Sequence, residues 1–331
     1  MDWRPTATWQ ALRLRALGLA RVRAFFDVRG SLEVQTPALV PCPGVDAHLD
    51  APAVDLDGHA RFLATSPEYA MKRLLAAGSG PIHQVGPAFR AGERGDLHEP
   101  EFTIVEWYEP GADDDGCMQT TEALVRDVAH ALGDGVLRHR GAQAGTDEPF
   151  ERITFRQAFG RVTDMDPSDV DPRRLGRLLR ASGVRPPRDA STEELQDLVL
   201  GAVVQPTLGI GRPTFVTDWP TSRAALARIR PGRDPDAAPA AARFELYAAG
   251  VELCNGYHEL TSEPEQRARI EAENLRRVAN GKQPSPTDER FLAALAHGLP
   301  DCAGNALGFD RLLMVSLGVP AIEQVLAFRV Q

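Results

Sequence analysis

FRAGERGDLHEPEFTIVEWYEP, Phe89 to Pro110, packs six acids, two arginines and one histidine into 22 residues before turning strand-like. The charge is interleaved with Phe102, Ile104, Trp107 and Tyr108. A solvated loop has no need of those aromatics, and a buried strand disfavours carboxylates that lack partners. A polar ligand that uses both halves reconciles the two. Arg90 closes the preceding strand, where its planar fork suits a phosphate. Glu106 and Tyr108 share one face of the following strand by its two-residue period, and a carboxylate there can hold an ammonium. Cross-strand ion pairing explains the same residues without a ligand.

Working outward, PIHQVGPAFR (81–90) and PEFTIVEWYE (100–109) read as two strands flanking the polar loop. Upstream, residues 8–27 have helical spacing with Thr8 as cap. GSLEVQTPAL (30–39) reads as a strand running into Pro37. VDLDGHARFL (54–63) reads as a hairpin turning at Asp57-Gly58. TSPEYAMKRLLAAG (65–78) reads as a helix capped by Ser66, with Pro67 at its first position and Gly78 as terminator. Downstream, residues 115–205 read as mostly helical, with loops at 140–149 and 183–191. PTFVTDWP (213–220) is a short strand, and ARIRPGRDPDAAPAAA (227–242) reads as a mobile loop. RFELYAAGVELCNGYHEL (243–260) is a hairpin followed by a charged helix over roughly 263–280, and GNALGFDRLLMVSLGVP (304–320) is strand then helix, stopped at Gly318. Runs of strands joined by tight turns and flanked by helices predict an α+β fold with an antiparallel sheet.

The 331 residues carry a net charge of 37 − 46 = −9, which disfavours extensive contact with a nucleic-acid backbone. No apolar run reaches membrane-spanning length and the N-terminus lacks a signal-peptide pattern, so the expectation is a cytoplasmic protein with no membrane partner. Cys42, Cys117, Cys254 and Cys302 form no CxxC, which removes support for a cysteine zinc site. There is no GxxxxGK[ST] loop, and GIGRP (209–213) runs into a proline, so any use of ATP proceeds without a P-loop or Rossmann turn.

Three further groups carry candidate chemistry. A turn at Ala248-Ala249 would set Glu245 opposite Glu252, a repulsive pair. Either a divalent cation bridges them to phosphate, or they lie on a wet face. Asn255, Tyr257 and Glu259 alternate onto one strand face, and Glu252 joins them only if the strand bulges near Leu253–Asn255. Ser66-Pro67-Glu68 reads as a helix start. Arg311, beside Asp310 at the start of the last helix, opposes the helix dipole unless an anion lies nearby.

The order of these stretches resembles class II aminoacyl-tRNA synthetases over nearly the whole chain. GSLEVQTPAL is similar to motif 1 (near 30–39), the opening stretch to motif 2 (near 86–108) and GNALGFDRLLM to motif 3 (near 304–317). TSPEYAMKRLLAAG and RFELYAAGVELCNGYHELT look like the lysyl branch. With motif 1 near residue 30, only one helix precedes it, leaving no room for the OB-fold that grips the anticodon. The chain therefore resembles the truncated paralogs of that branch that modify elongation factor P, with one catalytic domain over residues 1–331.

The resemblance implies ATP and Mg²⁺ as cofactors, and lysine or (R)-β-lysine and elongation factor P as substrates. It also implies a homodimer through motif 1, and makes tRNA an improbable partner. By position, Arg90 and Arg311 would be catalytic, on the α-phosphate and the far end of the triphosphate. His98 would lie near the triphosphate, Phe102 would stack on adenine and Glu93 would serve its amino group. Glu245 and Glu252 would hold magnesium. Ser66 and Glu68 would meet the amine near the carboxylate. Glu106, Tyr108 and Glu259 would surround the distal ammonium, with Tyr257 alongside, while Asn255 would take the carboxylate and Ala306 narrow the pocket. The family's FRNEE is FRAGE here and its HNPEF is HEPEF, so Ala91, Gly92 and Glu99 depart from the pattern. Two rival functions follow from the same residues: a minimal enzyme aminoacylating tRNA or another carrier, and a non-catalytic lysine- or nucleotide-binding regulator.

Overall fold

Thr8 starts the first helix as its spacing predicts: its side-chain oxygen accepts from the Ala11 N–H at 3.1 Å, and α1 runs Trp9–Asp27. The computed structural model describes residues 3–330 other than 48, 189 and 234–237. The expected strand at 30–39 splits into β1 (Leu32–Glu33) and β2 (Leu39–Val40). Pro37 cannot donate to a ladder, and the Thr36 N–H goes instead to Gln84 Oε1 at 2.8 Å. β3 (Ala53–Leu56) and β4 (His59–Leu63) form the expected hairpin, with Asp57 and Gly58 both at positive φ. α2 (Glu68–Ala76) begins one residue later than expected: Pro67 takes the cap position, while Ser66 Oγ accepts from the Glu68 N–H at 3.1 Å.

β5 (Ile82–Phe89) and β6 (Glu101–Pro110) then pair antiparallel, with Gln84 opposite Glu106. α3 (Asp114–Leu132) follows, but the helical reading of 115–205 fails in part. β7 (Val136–His139), β8 (Ala142–Gly145) and β9 (Glu151–Thr154) interrupt it. Arg140 and Gly141, both at positive φ, turn the chain back on itself, a geometry no helix accepts. α4 (Phe155–Thr163), α5 (Pro172–Ala181) and α6 (Thr192–Val199) restore the expected helices and build a core of their own around Phe155, Phe159, Leu179 and Trp219.

β10 (Thr214–Thr217), β11 (Trp219–Pro220), β12 (Ile229–Arg230) and β13 (Ala240–Ala241) come next. The expected loop at 227–242 is thus anchored at both ends by a small sheet, and its residues 234–237 lie outside the described set. β14 (Arg243–Ala248) and β15 (Val251–His258) form the second large hairpin, then α7 (Glu263–Ala279) and α8 (Glu289–Gly298). β16 (Cys302–Gly308) and α9 (Phe309–Leu317) close the chain's main elements, with Gly318 in the left-handed region as terminator.

Eight strands join in the order β1-β5-β6-β16-β15-β14-β10-β9, antiparallel except for the β1–β5 and β9–β10 pairs at the edges. α1, α3 and α9 bury Phe26, Val125, Leu313 and Met314 on one face against Trp107, Leu253 and Leu307. Each such side chain contributes about 1.5–3 kcal/mol by leaving water. That packed face holds the sheet rigid, and the opposite face carries the site.

Candidate active site

A cavity of about 880 Å³ opens over the sheet, walled by α2, α6 and α7. One end is built from the polar loop and the start of α9. The Arg90 N–H donates to Pro100 O at 2.8 Å, which fixes the residue at the mouth of the β5–β6 hairpin. Its side-chain Nε is buried with no partner among the described residues, its carboxylate neighbour is Glu93 at 3.9 Å, and its guanidinium sits 5.0 Å from the Phe102 ring centroid. An orphaned guanidinium N–H of this kind suits an incoming anion.

Arg311 is held more firmly, donating to Leu97 O (3.1 Å) and Glu252 O (3.0 Å). Its Nη2 lies 2.7 Å from His98 Nε2. Burial, then Arg311 itself, lower the His98 pKa, so His98 is neutral and accepts that hydrogen bond. Asp310, next to Arg311, accepts from the Thr103 N–H (2.7 Å) and pairs with Arg15 (2.5 Å), locking the helix start to β6 and α1. Glu99, one of the residues that depart from the family pattern, is buried and pairs with Arg329 at 2.5 Å.

The second hairpin corrects one expectation. Its turn is Ala249-Gly250, one residue further on, so Glu252 pairs with Tyr247 and Glu245 faces Asn255. The bulge needed near Leu253 is present, since Leu246 pairs with Cys254 while Tyr247 pairs with Glu252. It brings Glu245, Glu252, Asn255 and Tyr257 to one cavity wall despite their mixed parity. The repulsion of Glu245 and Glu252 is already offset by the protein. Arg243 pairs with Glu245 at 2.5 Å and Tyr247 donates to its other oxygen, while Arg311 lies 3.6 Å from Glu252. Burial, countered by Arg243 and reinforced by Glu252, leaves the Glu245 carboxyl pushed up to about 7. Arg243 also donates to Asn255 Oδ1 (3.1 Å) and lies 4.3 Å from the Trp219 ring centroid. The sequence reading missed Arg243, although its place two residues before Glu245 puts both on one strand face. Two carboxylates are the donor set magnesium takes beside phosphate oxygens. The pair fits that ion, with the partly exposed Glu252 the less encumbered ligand.

The other end is acidic. Ser66, Glu68, Asn255, Tyr257 and Ala306 line the cavity, whereas Glu106, Tyr108 and Glu259 lie a layer behind it. Both Glu106 oxygens are occupied, by Ser66 Oγ and Tyr108 Oη, each donating at 2.7 Å. Burial and the nearby Glu68 push its carboxyl up to about 7. Asn255 Nδ2 donates to Tyr257 Oη at 2.8 Å, and Ala306 sits in register with both Asn255 and Glu106. The ammonium found against Glu259 is the protein's own. Lys72 Nζ, buried, lies 2.6 Å from Glu259 Oε2 and 2.6 Å from Glu68 Oε1. Burial pulls the Lys72 ammonium down, but the Glu259 and Glu68 carboxylates outweigh it and the group stays charged. Burial pushes Glu259 up to about 8 even against Lys72. Gly304 makes this layer possible, because a Cβ there would meet the Tyr108 ring at 2.3 Å and Glu259 Oε1 at 2.7 Å. Lys72 was also missed, though its spacing of four from Glu68 on a helix signalled it.

A large, mainly antiparallel sheet, an arginine at the mouth of its hairpin and another opening the helix after β16 define a class of enzyme. The family model described as tRNA synthetases class II (D, K and N) matches residues 1–331, and the chain belongs to that family. Within it, the chain is 42% identical to the elongation factor P–(R)-β-lysine ligase of Vibrio cholerae, over 99% of this chain and 97% of that protein. It is 41% identical to the ligase of the same name from Proteus mirabilis, over 99% and 98%, and 40% identical to that of Klebsiella pneumoniae, over 99% and 97%.

Proposed function

We propose that this protein is an ATP-dependent ligase that activates (R)-β-lysine or lysine as an aminoacyl-adenylate and transfers it to a lysine side chain of elongation factor P. The observation that carries the reading is the polarity of one cavity: an arginine end with an orphaned guanidinium N–H faces an end lined by Glu68 and backed by the buried Glu106 and Glu259. A substrate with a carboxylate at one end and ammonium groups elsewhere fits between them, its carboxylate turned toward the nucleotide. The names of the relatives supply the acceptor.

Arg90 holds the α-phosphate and offsets the charge that develops when the substrate carboxylate attacks it, releasing pyrophosphate. Arg311, with neutral His98 as its hydrogen-bond partner, binds the far phosphates. Phe102 packs on adenine, and Glu93 takes its amino group. Glu252 and Glu245 would hold magnesium, which would supply charge neutralisation at the phosphates. Glu68 and Ser66 receive the nearer ammonium, Asn255 orients the carboxylate, and Tyr257 and the Glu106–Tyr108–Glu259 layer supply the field that attracts the distal one. The acceptor amine, having lost a proton, then attacks the adenylate carbonyl, an amide forms and AMP leaves. No covalent enzyme intermediate is required, and alignment with preorganised charge supplies the rate. We also infer a cytoplasmic homodimer meeting through motif 1, where the edge strand β1 and the exposed Val28 and Leu32 offer the surface.

The test is intact mass of elongation factor P after incubation with the protein, Mg·ATP and either lysine isomer, beside a tube holding tRNA. A gain of one lysyl residue on the factor is expected. Esterified tRNA with an unmodified factor would sink the reading in favour of a minimal synthetase.

A further inference from the structure

Resting on the reading above, we infer that Lys72 is a specificity-determining positioning residue. Its ammonium cancels one charge of the Glu68–Glu106–Glu259 set, leaving a site matched to a substrate with two ammonium groups, and it holds Glu68 and Glu259 in place. The charge count is direct. Three carboxylates gather at this end, one buried cation lies 2.6 Å from two of them, and two negative charges remain when all are ionised. Lysine and β-lysine each bring two ammonium groups. Glu259 Oε1 has no hydrogen-bond partner among the described residues, so the set is not closed on itself.

The surroundings exclude another source of compensation. On α2 the groups near Lys72 are Glu68 and Tyr69; on β6 they are Glu106 and Tyr108; Glu259 follows β15, and Cys302 stands on β16. Phe291 of α8 presents a ring 6.0 Å from Nζ, and Asp288 at that helix's cap faces Tyr69. Arg228 reaches the Glu259 carbonyl at 3.1 Å, but its guanidinium is paired with Asp301, so Lys72 is the cation that meets the carboxylates. Without it, Glu68 and Glu259 repel each other and Glu259 keeps its proton to higher pH, and that proton must leave before an ammonium binds.

The experiment measures lysine-dependent pyrophosphate exchange and calorimetric lysine binding from about pH 6 to 9. The proteins are wild type, Lys72→Met, Lys72→Arg and the double variant K72M/E259Q, and norleucine serves as the mono-ammonium analogue. In K72M the lysine KM is expected to rise about tenfold near neutral pH, with kcat much less changed. The pH at which KM levels off should move up by about one unit, and K72R should restore it. A purely structural lysine would lower thermal stability and the active fraction while leaving that pH in place, which would overturn the inference. Should K72M not fold, the double variant removes both partners of the pair and is expected to fold. That variant keeps two negative charges in the set, so loss of its preference for lysine over norleucine would equally overturn the inference. Wild type that binds lysine without exchange sinks the ligase reading alone, because the pH profile of binding still decides the role of Lys72. Wild type that does neither sinks both.

Discussion

The two ends of the cavity are built on opposite plans. At the acidic end the charges pair closely within the protein: Ser66 and Tyr108 close on Glu106, and Lys72 lies 2.6 Å from both Glu68 and Glu259, with Glu259 Oε1 left open among the described residues. At the arginine end the side chains are partly exposed and their ion pairs are long, 3.9 Å for Arg90–Glu93 and 3.6 Å for Arg311–Glu252. The contrast matches what each end receives. A triphosphate meets one arginine already set, Arg311 on Leu97 O, Glu252 O and His98, and one, Arg90, whose Nε is left open for it. An ammonium on a flexible chain needs a prearranged, desolvated set of carboxylates, because only a dry site discriminates an ammonium from a methyl group.

The sharpest way to break this comparison is Arg311→Ala. Removing a preorganised cation aimed at developing charge is expected to lower lysine-dependent pyrophosphate exchange by about 10²–10³-fold, with lysine binding itself nearly unchanged. A loss confined to lysine affinity would mean that the arginine end is not where the anion sits.

The ends also predict opposite pH dependences of stability, the next largest effect. Glu259 and Glu106 have folded pKa values raised to about 8 and about 7 from an ordinary 4.5. Between those limits the folded state binds more protons than the unfolded chain, so their contribution to stability falls as pH rises through that window. His98 runs the other way. Its folded pKa lies below the ordinary 6.5, so stability is lost as pH falls below that value and the unfolded chain takes the proton. Denaturant unfolding across pH should show the alkaline loss diminished in Glu259→Gln and the acid loss diminished in His98→Gln. An unchanged profile in both would remove the titration argument.

Much of this plan was legible in the sequence because it is local. Strand period put Glu106 with Tyr108, the Asp57-Gly58 turn fixed one hairpin, and the bulge near Leu253 followed from the need to unite residues of mixed parity. The turn of the β14–β15 hairpin was placed one residue early, since Ala-Ala-Gly permits either register and only packing decides. The partners that neutralise the acids were not read. Arg243 and Lys72 look like ordinary surface charges until the fold buries them, and burial comes from Trp219, Phe291 and Tyr108, none adjacent in the chain. The short strands β7, β8 and β9 were lost for a related reason: four-residue strands carry too little period to outweigh helical neighbours.

Arg243 sharpens the comparison at its middle, because it touches both ends. Its fork spans Glu245, Asn255 Oδ1 and the Arg223 carbonyl. Lysine keeps the charge but not the fork, so Arg243→Lys is expected to lower kcat/KM about tenfold, with KM for Mg·ATP and for lysine both rising. A change in only one of the two would show that the guanidinium serves that end alone.

The smallest effect tests whether the strap over 227–233 belongs to the site at all. Arg228, Arg230 and Arg233 sit in the stretch that the sequence reads as a mobile loop, yet each pairs within the protein. Arg228 meets Asp301, Arg230 holds Asp114 (3.0 Å) and Asp218 (2.6 Å), and Arg233 holds Asp114 and Asp115 (both 2.8 Å). The same contacts account for the Asp113–Asp115 acid cluster without a metal ion, since Asp113 is spent capping α3. Arg233 still holds Asp114 and Asp218 when Arg230 is gone, so Arg230→Ala is expected to cost about 1 kcal/mol or less. Removing both arginines strands the buried Asp114 and should cost about 3 kcal/mol or more. Pyrophosphate exchange by the single variant should stay within about twofold of wild type, because the strap's ion pairs reach α3 and not the cavity wall. A larger loss would mean that the strap transmits strain to Arg243 through Trp219, and the division between a closely paired acidic end and a more open arginine end would have to include a third, remote support.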